Sequence, residues 1–207
     1  MKIKNILIAA VALAASQTAV ASPNLIVNGG FESSTFSGPF TTYSAGSPLL
    51  TGWTIETGSI DLINELWQHA SGNYSIDLSG NVDGVISQVF NTTQGQTYRV
   101  SFSLAGNPDD ADKVKVVQVG MSNEPLYEFD TTGKIRTNMG WVTKSFDFIA
   151  ADTTSKLFFA GAQESPFGAA LDNISVTAVP EPETYAMFLA GITLMAGIAR
   201  RRNNLLK

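Results

Sequence analysis

The side chains best suited to chemistry fall into three groups. Trp67 is followed at once by Gln68 and His69, with Asn73 close behind. An indole offers a flat apolar face to a sugar ring, and amides and an imidazole can exchange hydrogen bonds with its hydroxyls. Trp67, Gln68, His69 and Asn73 therefore read as a glycan-binding loop. Trp53 and Trp141 are the other possible platforms, and both read better as core. The second group is a pair of carboxylates, Glu32 near the start and Asp172 within Ala170-Leu-Asp-Asn-Ile-Ser-Val176 near the end. By two-residue alternation Asp172 shares a face with Ala170, Ile174 and Val176, and a carboxylate on a core face needs a partner. Backbone donors, a basic side chain or a hard cation would serve. In the cation reading Glu32 and Asp172 share a structural Ca²⁺. The third group is Pro180, Glu181 and Pro182, followed by a mostly apolar run from Tyr185 to Ala199 and then by Arg200, Arg201 and Arg202. That combination is an address, not a reactive centre.

No catalytic residue is assigned. The chain has no cysteine and a single histidine, His69, which excludes zinc sites built from several His or Cys ligands. It also lacks a Gly-x-Ser-x-Gly elbow. The run Asp109-Asp110-Ala111-Asp112 reads as a solvated turn more readily than as a cation loop. The expectation is a binding protein, not an enzyme.

Two terminal segments stand apart from the part that folds. Met1-Lys2-Ile3-Lys4, an apolar stretch from Ile6 to Ala15 and the small residues Ala19-Val20-Ala21 make residues 1–21 a secretory signal peptide, cut by signal peptidase after Ala21. At the other end, an apolar helix over 185–199 would be ~22 Å long against a hydrocarbon core of ~30 Å. It is a short membrane helix, able to reach across by thinning the bilayer and snorkelling its arginines, which stay cytoplasmic. Of the 13 basic and 18 acidic residues, six basic and two acidic ones lie in these ends. Residues 22–179 keep 7 against 16, a net charge of −9. A domain that acidic is no nucleic-acid binder, because phosphate binding needs clustered Lys and Arg. Without disulfides, its stability must come from its core or from a metal.

The elements that position these side chains are strands. Tyr98, Val100, Phe102 and Leu104 alternate with Arg99, Ser101 and Ser103. Phe146 and Phe148 flank Asp147, and Leu157 and Phe159 flank Phe158. Asn91-Thr-Thr-Gln-Gly95, Asn107-Pro-Asp-Asp110 and Thr132-Gly133 mark turns between such runs, and no amphipathic helix of ten residues interrupts them. The pattern predicts one all-β sandwich over residues 22–179, followed by a sorting segment over 180–207.

Two resemblances extend this reading. Val179-Pro-Glu-Pro-Glu-Thr-Tyr185, the apolar run and the three arginines resemble the PEP-CTERM sorting family. That resemblance implies export in a Gram-negative bacterium and transient tethering in the inner membrane. It also implies processing by an exosortase and delivery to the cell surface or to a biofilm matrix containing exopolysaccharide. Further motifs occur in the order seen in galactose-binding-like jelly rolls: Leu25-Ile-Val-Asn-Gly-Gly-Phe-Glu32, Gly52-Trp53, Gly72-Asn-Tyr-Ser-Ile-Asp-Leu-Ser-Gly80, Ile86-Ser-Gln-Val-Phe90, Gly95-Gln-Thr-Tyr98 and Leu171-Asp-Asn-Ile-Ser-Val176. They look most like the choice-of-anchor C family of exported bacterial proteins, itself similar to plant cell-wall proteins often described as binding polysaccharide. This resemblance implies a jelly roll with its first and last strands side by side, and a structural Ca²⁺ near that junction held by Glu32 and Asp172. The expected function is polysaccharide binding; the alternative is a structural or adhesive matrix protein acting through protein contacts.

Overall fold

The computed structural model describes residues 22–121, 126–180 and 182–205. The signal peptide expected over residues 1–21 lies outside the described residues. One unit, Pro23–Val179, holds all the strands, and the helix that follows belongs to another.

The chain forms the all-β sandwich that its alternation predicts, with the jelly-roll topology that the resemblance implies. The strands are β1 (Phe40–Ser44), β2 (Thr54–Thr57), β3 (Ser59–Ile63), β4 (Ser75–Asp77), β5 (Val85–Asn91), β6 (Thr97–Gly106), β7 (Val114–Gly120), β8 (Leu126–Asp130), β9 (Val142–Ile149), β10 (Thr154–Gly161) and β11 (Ala169–Ala178). They build a six-stranded sheet, β1-β3-β4-β11-β6-β9, and a five-stranded sheet, β2-β5-β10-β7-β8, with every pairing antiparallel. Neighbours in each sheet are mostly distant in sequence, because the chain keeps crossing between sheets, as a jelly roll requires.

Inward side chains alternate as expected. Tyr98, Val100, Phe102 and Leu104 of β6 meet Leu157 and Phe159 of β10 and Val117 and Val119 of β7 in one core. Phe102 and Phe159 pack edge to face at 5.2 Å, a favourable aromatic geometry. Lys115 also points inward from β7 and is fully buried, its charge met by Asp110 at 2.7 Å.

The N-terminal segment closes the sandwich. Leu25 N–H donates to Val176 O, and Val176 N–H donates to Asn24 Oδ1, so the first segment lies along the last strand. Gln88, on the inner face of β5, accepts from Val27 N–H and donates to Val27 O, as a neighbouring strand would.

The C-terminal helix α1 spans Pro182–Leu205, 24 residues. It begins on a proline, which is tolerated at a first helical position, and it runs on through the arginines. It is therefore longer than the expected 185–199. Among the described residues, however, no helix is long and apolar enough to cross a membrane.

Candidate functional site

Asp172 does not point where alternation put it. Pairing matches Leu171 with Leu104 and Asp172 with Ser103, then shifts so that Ser175 faces Ser101 and Val176 faces Val100. The extra residue is a β-bulge at Asn173, whose φ of 52° is left-handed. A one-residue slip exchanges the two faces of a strand. Asp172 therefore stands with Ser103 on the outer face of the six-stranded sheet, opposite the face of Val176.

It is nonetheless fully buried, because a loop covers it. Asp172 Oδ2 accepts from Ala70 N–H and Ser71 N–H, both at 3.0 Å, and Oδ1 accepts from Asn173 N–H at 2.6 Å. Glu32 Oε1 accepts from Asn73 N–H at 2.9 Å and Tyr74 N–H at 3.0 Å. Ser71 Oγ donates to Asn173 Oδ1. The two carboxylates thus clasp the C-terminal half of the 64–74 loop, residues 70–74, on either side of Gly72. Gly72 lies between them at φ 62°, where a Cβ would fall 2.2 Å from Glu32 Oε1. Burial pushes Asp172 up to about 6 against the pull of its three backbone donors, with the charge of Glu32 adding to the rise.

The Asn28–Glu32 motif supplies the other half of the clasp. Asn28 Nδ2–H donates to Thr51 O, and its Oδ1 accepts from Ser33 N–H. Trp53 Nε1–H donates to Asn28 O at 3.1 Å. Gly29 O accepts from Ile174 N–H at the bulge, and a Cβ on Gly29 would fall 1.9 Å from Ile174 O. Phe31 holds a left-handed φ of 62°, a cost of about 1–2 kcal/mol for an L-residue. It is retained because its ring is buried 5.9 Å from that of Trp53.

This donor set does not fit a calcium ion. Ca²⁺ takes six to eight oxygens, whereas both oxygens of Asp172 and Oε1 of Glu32 face N–H groups. Among the described residues no three His, Asp or Glu side chains gather to hold a metal. Backbone donors are the partners that Asp172 needed. The acidic run is likewise engaged by the chain itself: Asp109 pairs with Arg136 at 2.6 Å, Asp110 with Lys115, and Asp112 Oδ1 accepts from Val114 N–H.

Trp67 is 5% exposed and packs into the hydrophobic core from within the loop, so it offers no open face. Its Nε1–H donates to Ser75 Oγ at 2.9 Å. His69 bonds Ser75 Oγ through Nδ1 and the carbonyl of Asn64 through Nε2. A carbonyl only accepts, so Nε2 carries the proton and Nδ1 accepts from the Ser75 hydroxyl, leaving Ser75 Oγ free to accept from Trp67. Gln68 is exposed but spent on structure: its N–H donates to Arg136 O, and its Oε1 accepts from Met139 N–H. Asn73 is exposed on the clasped loop.

The indole left at the surface is Trp141. It is half-buried beside the start of β9, and its Nε1–H donates to Gln68 O at 2.7 Å. Gln68 thereby joins the 64–74 loop to the 131–141 loop, with the Arg136–Asp109 ion pair alongside. The residue types of Trp141 and Gln68 are visible in sequence, but their 73-residue separation hides the contact. Of the sorting residues, Glu181 lies outside the described residues, and Pro182 and Arg202 are described in backbone only.

Comparison with known proteins bears on both units. Residues 178–203 match the PEP-CTERM protein-sorting motif. The chain is 29% identical over 199 residues to Halomucin of Haloquadratum walsbyi, covering 93% of this chain but only 2% of that protein's length. Among solved structures, TmCBM61 in complex with β-1,4-galactotriose matches 76% of this chain and all of its own, at 18% identity and TM-score 0.44. A family 16 carbohydrate-binding module matches 74% and 99%, at 18% and 0.48. The CBM22-1 xylan-binding domain of Paenibacillus barcinonensis Xyn10C matches 79% and 99%, at 12% and 0.47. The sandwich is established by its own strand order, and these likenesses add nothing about a ligand. Residues 24–177, nearly the whole sandwich, match the family described as protein of unknown function (DUF642), and the chain belongs to that family.

Proposed function

We propose that this protein is exported, handled by an exosortase through its PEP-CTERM segment, and displayed at the envelope or in the extracellular matrix, where its jelly roll binds polysaccharide without catalysis. The observation that carries the binding half is Trp141: a half-open indole fixed by a hydrogen bond to the Gln68 carbonyl and bordered by polar loops. Sugar rings stack on such a surface while their hydroxyls reach flanking polar groups. The sorting motif supports the export half.

The test is a glycan array that includes exopolysaccharide purified from the producing organism. Trp141→Ala should weaken binding about tenfold or more, with an unchanged melting temperature. Silence of the wild-type chain on every glycan would refute the reading. Trp67→Ala is unsuited to this test, because removing a buried indole costs about 3–5 kcal/mol and reports on folding.

A second reading, matrix adhesion through protein contacts, has the outer face of the five-stranded sheet in its favour. There Val89, Leu126 and Val114 are exposed on the same side as Phe158. A pull-down from matrix that yields no protein partner would count against it.

A further inference from the structure

Beyond Trp141, the outer face of the six-stranded sheet continues as a field of hydroxyls. Register places Ser175, Ser101 and Ser145 in one row across β11, β6 and β9, and Ser103 with Thr143 in the next row toward Trp141. On the other side lie Thr177, Arg99 and Asp147. Ser145 and Thr143 are exposed, and Ser101, Ser175 and Thr177 are partly so. Among the described residues the hydroxyls of Ser101, Thr143, Ser145, Ser175 and Thr177 have no partner within the chain. The only charges in these rows outside the loop-covered Asp172 are Arg99 and Asp147, and they cancel in a two-pronged pair at 2.8 and 2.9 Å.

We infer that this face is the track for an extended, uncharged polysaccharide chain that starts on Trp141 and runs over the Ser/Thr rows toward the Arg99–Asp147 pair; the inference rests on the glycan-binding reading. The charge pattern selects the ligand. A strongly basic face would take uronates or sulfated glycans. Within the rows the charges cancel, and the domain around them carries −9, which repels polyanions. Unengaged hydroxyls on a flat sheet suit a ligand whose own surface is hydroxyls, since each can both donate and accept. Size agrees as well. From Thr143 to Asp147 along β9 is about 13 Å, and three strands span about 10 Å, enough for a few sugar units.

The experiment measures the affinity of the purified full-length chain, in mild detergent, for neutral β-1,4-linked di- and hexasaccharides of glucose, xylose and galactose, and for hexagalacturonate. It compares wild type, Trp141→Ala and the triple variant Ser101→Val, Ser145→Val, Ser175→Val. Valine suits an exposed strand position, so the triple variant should keep the wild-type melting temperature. Expected results are a neutral hexasaccharide bound about tenfold or more tighter than its disaccharide, no measurable hexagalacturonate binding, and loss of that length advantage in the triple variant. Equal affinity for di- and hexasaccharide in wild type, or tightest binding of hexagalacturonate, overturns the track and leaves Trp141 as a single-sugar site. A triple variant that instead turns a dimer into a monomer makes the face a contact between copies and also overturns it. No binding of any probe by wild type, together with a silent exopolysaccharide array, removes the underlying glycan reading.

Discussion

The two outer faces of this sandwich are built on opposite plans. On the six-stranded sheet the clasped loop covers Asp172 of β11 and bonds Ser75 of β4, while the rows across β11, β6 and β9 present hydroxyls. On the five-stranded sheet, Phe158 lies across Gly120, flanked by Val89, Leu126 and a Lys156–Glu56 pair at 2.5 Å. Both faces follow from the same two-residue alternation, so alternation alone cannot say which one carries a site. The difference lies in how polar groups are used. The clasp on the six-stranded face spends Glu32 and Asp172 on backbone N–H groups, and so holds a loop still beside an open hydroxyl surface. On the five-stranded face Glu56 is spent on a surface lysine, and Glu128 and Asp130 of β8 stay exposed.

Glycine substitutions should separate the two faces most sharply. At Gly29 a Cβ would meet the Ile174 carbonyl at 1.9 Å, and backbone on both sides of the bulge has to move. At Gly120 it would meet the Phe158 ring at 1.7 Å, but that ring is half-exposed and can swing away. Gly29→Ala should therefore cost about 3 kcal/mol and loosen the 64–74 loop, while Gly120→Ala should cost about 1 kcal/mol. Denaturant unfolding of the two variants checks this. Equal losses would mean that the clasp is no more rigid than the opposite face.

The faces should also differ in how they respond to acid. Asp77 lies next to Asp61 across β4 and β3, on the outer side of the six-stranded sheet. Its carboxylate accepts from Ser79 N–H, Gly168 N–H and Asn107 Nδ2–H. Even so, burial raises it to about 7, and the charge of Asp61 adds to the rise. Asp172 rises for the same leading reason. Asp61, bonded to Thr42, is itself raised by burial. A carboxyl whose folded value exceeds its unfolded value of about 4 binds protons more tightly when folded. Its contribution is greatest at low pH and is lost as pH rises through 6 and 7. On the five-stranded face Glu56 moves the other way, lowered first by its hydrogen bond to Lys156, so its contribution is lost only below the ordinary carboxylate range. The melting temperature should thus be higher at pH 5 than at pH 8, and Asp77→Asn should flatten that slope. A melting temperature that instead climbs steadily from pH 5 to pH 8 would show that these buried carboxyls do not govern stability.

Much of the sandwich was legible in the chain because inward residues of β6, β9 and β10 alternate without interruption, and steric periodicity is a local property. The site was less legible for two particular reasons. Unbroken alternation puts Asp172 on the face of Val176, but a single inserted residue at Asn173 reverses the phase, and only pairing with Ser103 and Ser101 reveals it. Trp67 and Trp141 both stand beside polar loop residues, and depth is set by where the fold turns them: into the core in one case, toward solvent in the other. The hydroxyl rows were present as single alternating serines, but a two-dimensional field exists only once β11, β6 and β9 are in register.

The smallest effect expected is also the one that most directly tests the clasp. If Glu32 and Asp172 shared a cation in the folded state alone, removing it would lower stability by RT ln(1 + [L]/Kd), about 2.7 kcal/mol at a hundredfold excess over Kd. The geometry assigns both Asp172 oxygens and Glu32 Oε1 to the N–H groups of Ala70, Ser71, Asn73, Tyr74 and Asn173 instead. Melting with millimolar CaCl₂ and with EDTA should therefore give the same midpoint. Glu32→Gln, which keeps an acceptor oxygen, should lower it less than Glu32→Ala, which leaves two N–H groups without their partner. A midpoint that falls on chelation, and falls no further in Glu32→Ala, would make the carboxylates metal ligands and the backbone contacts secondary.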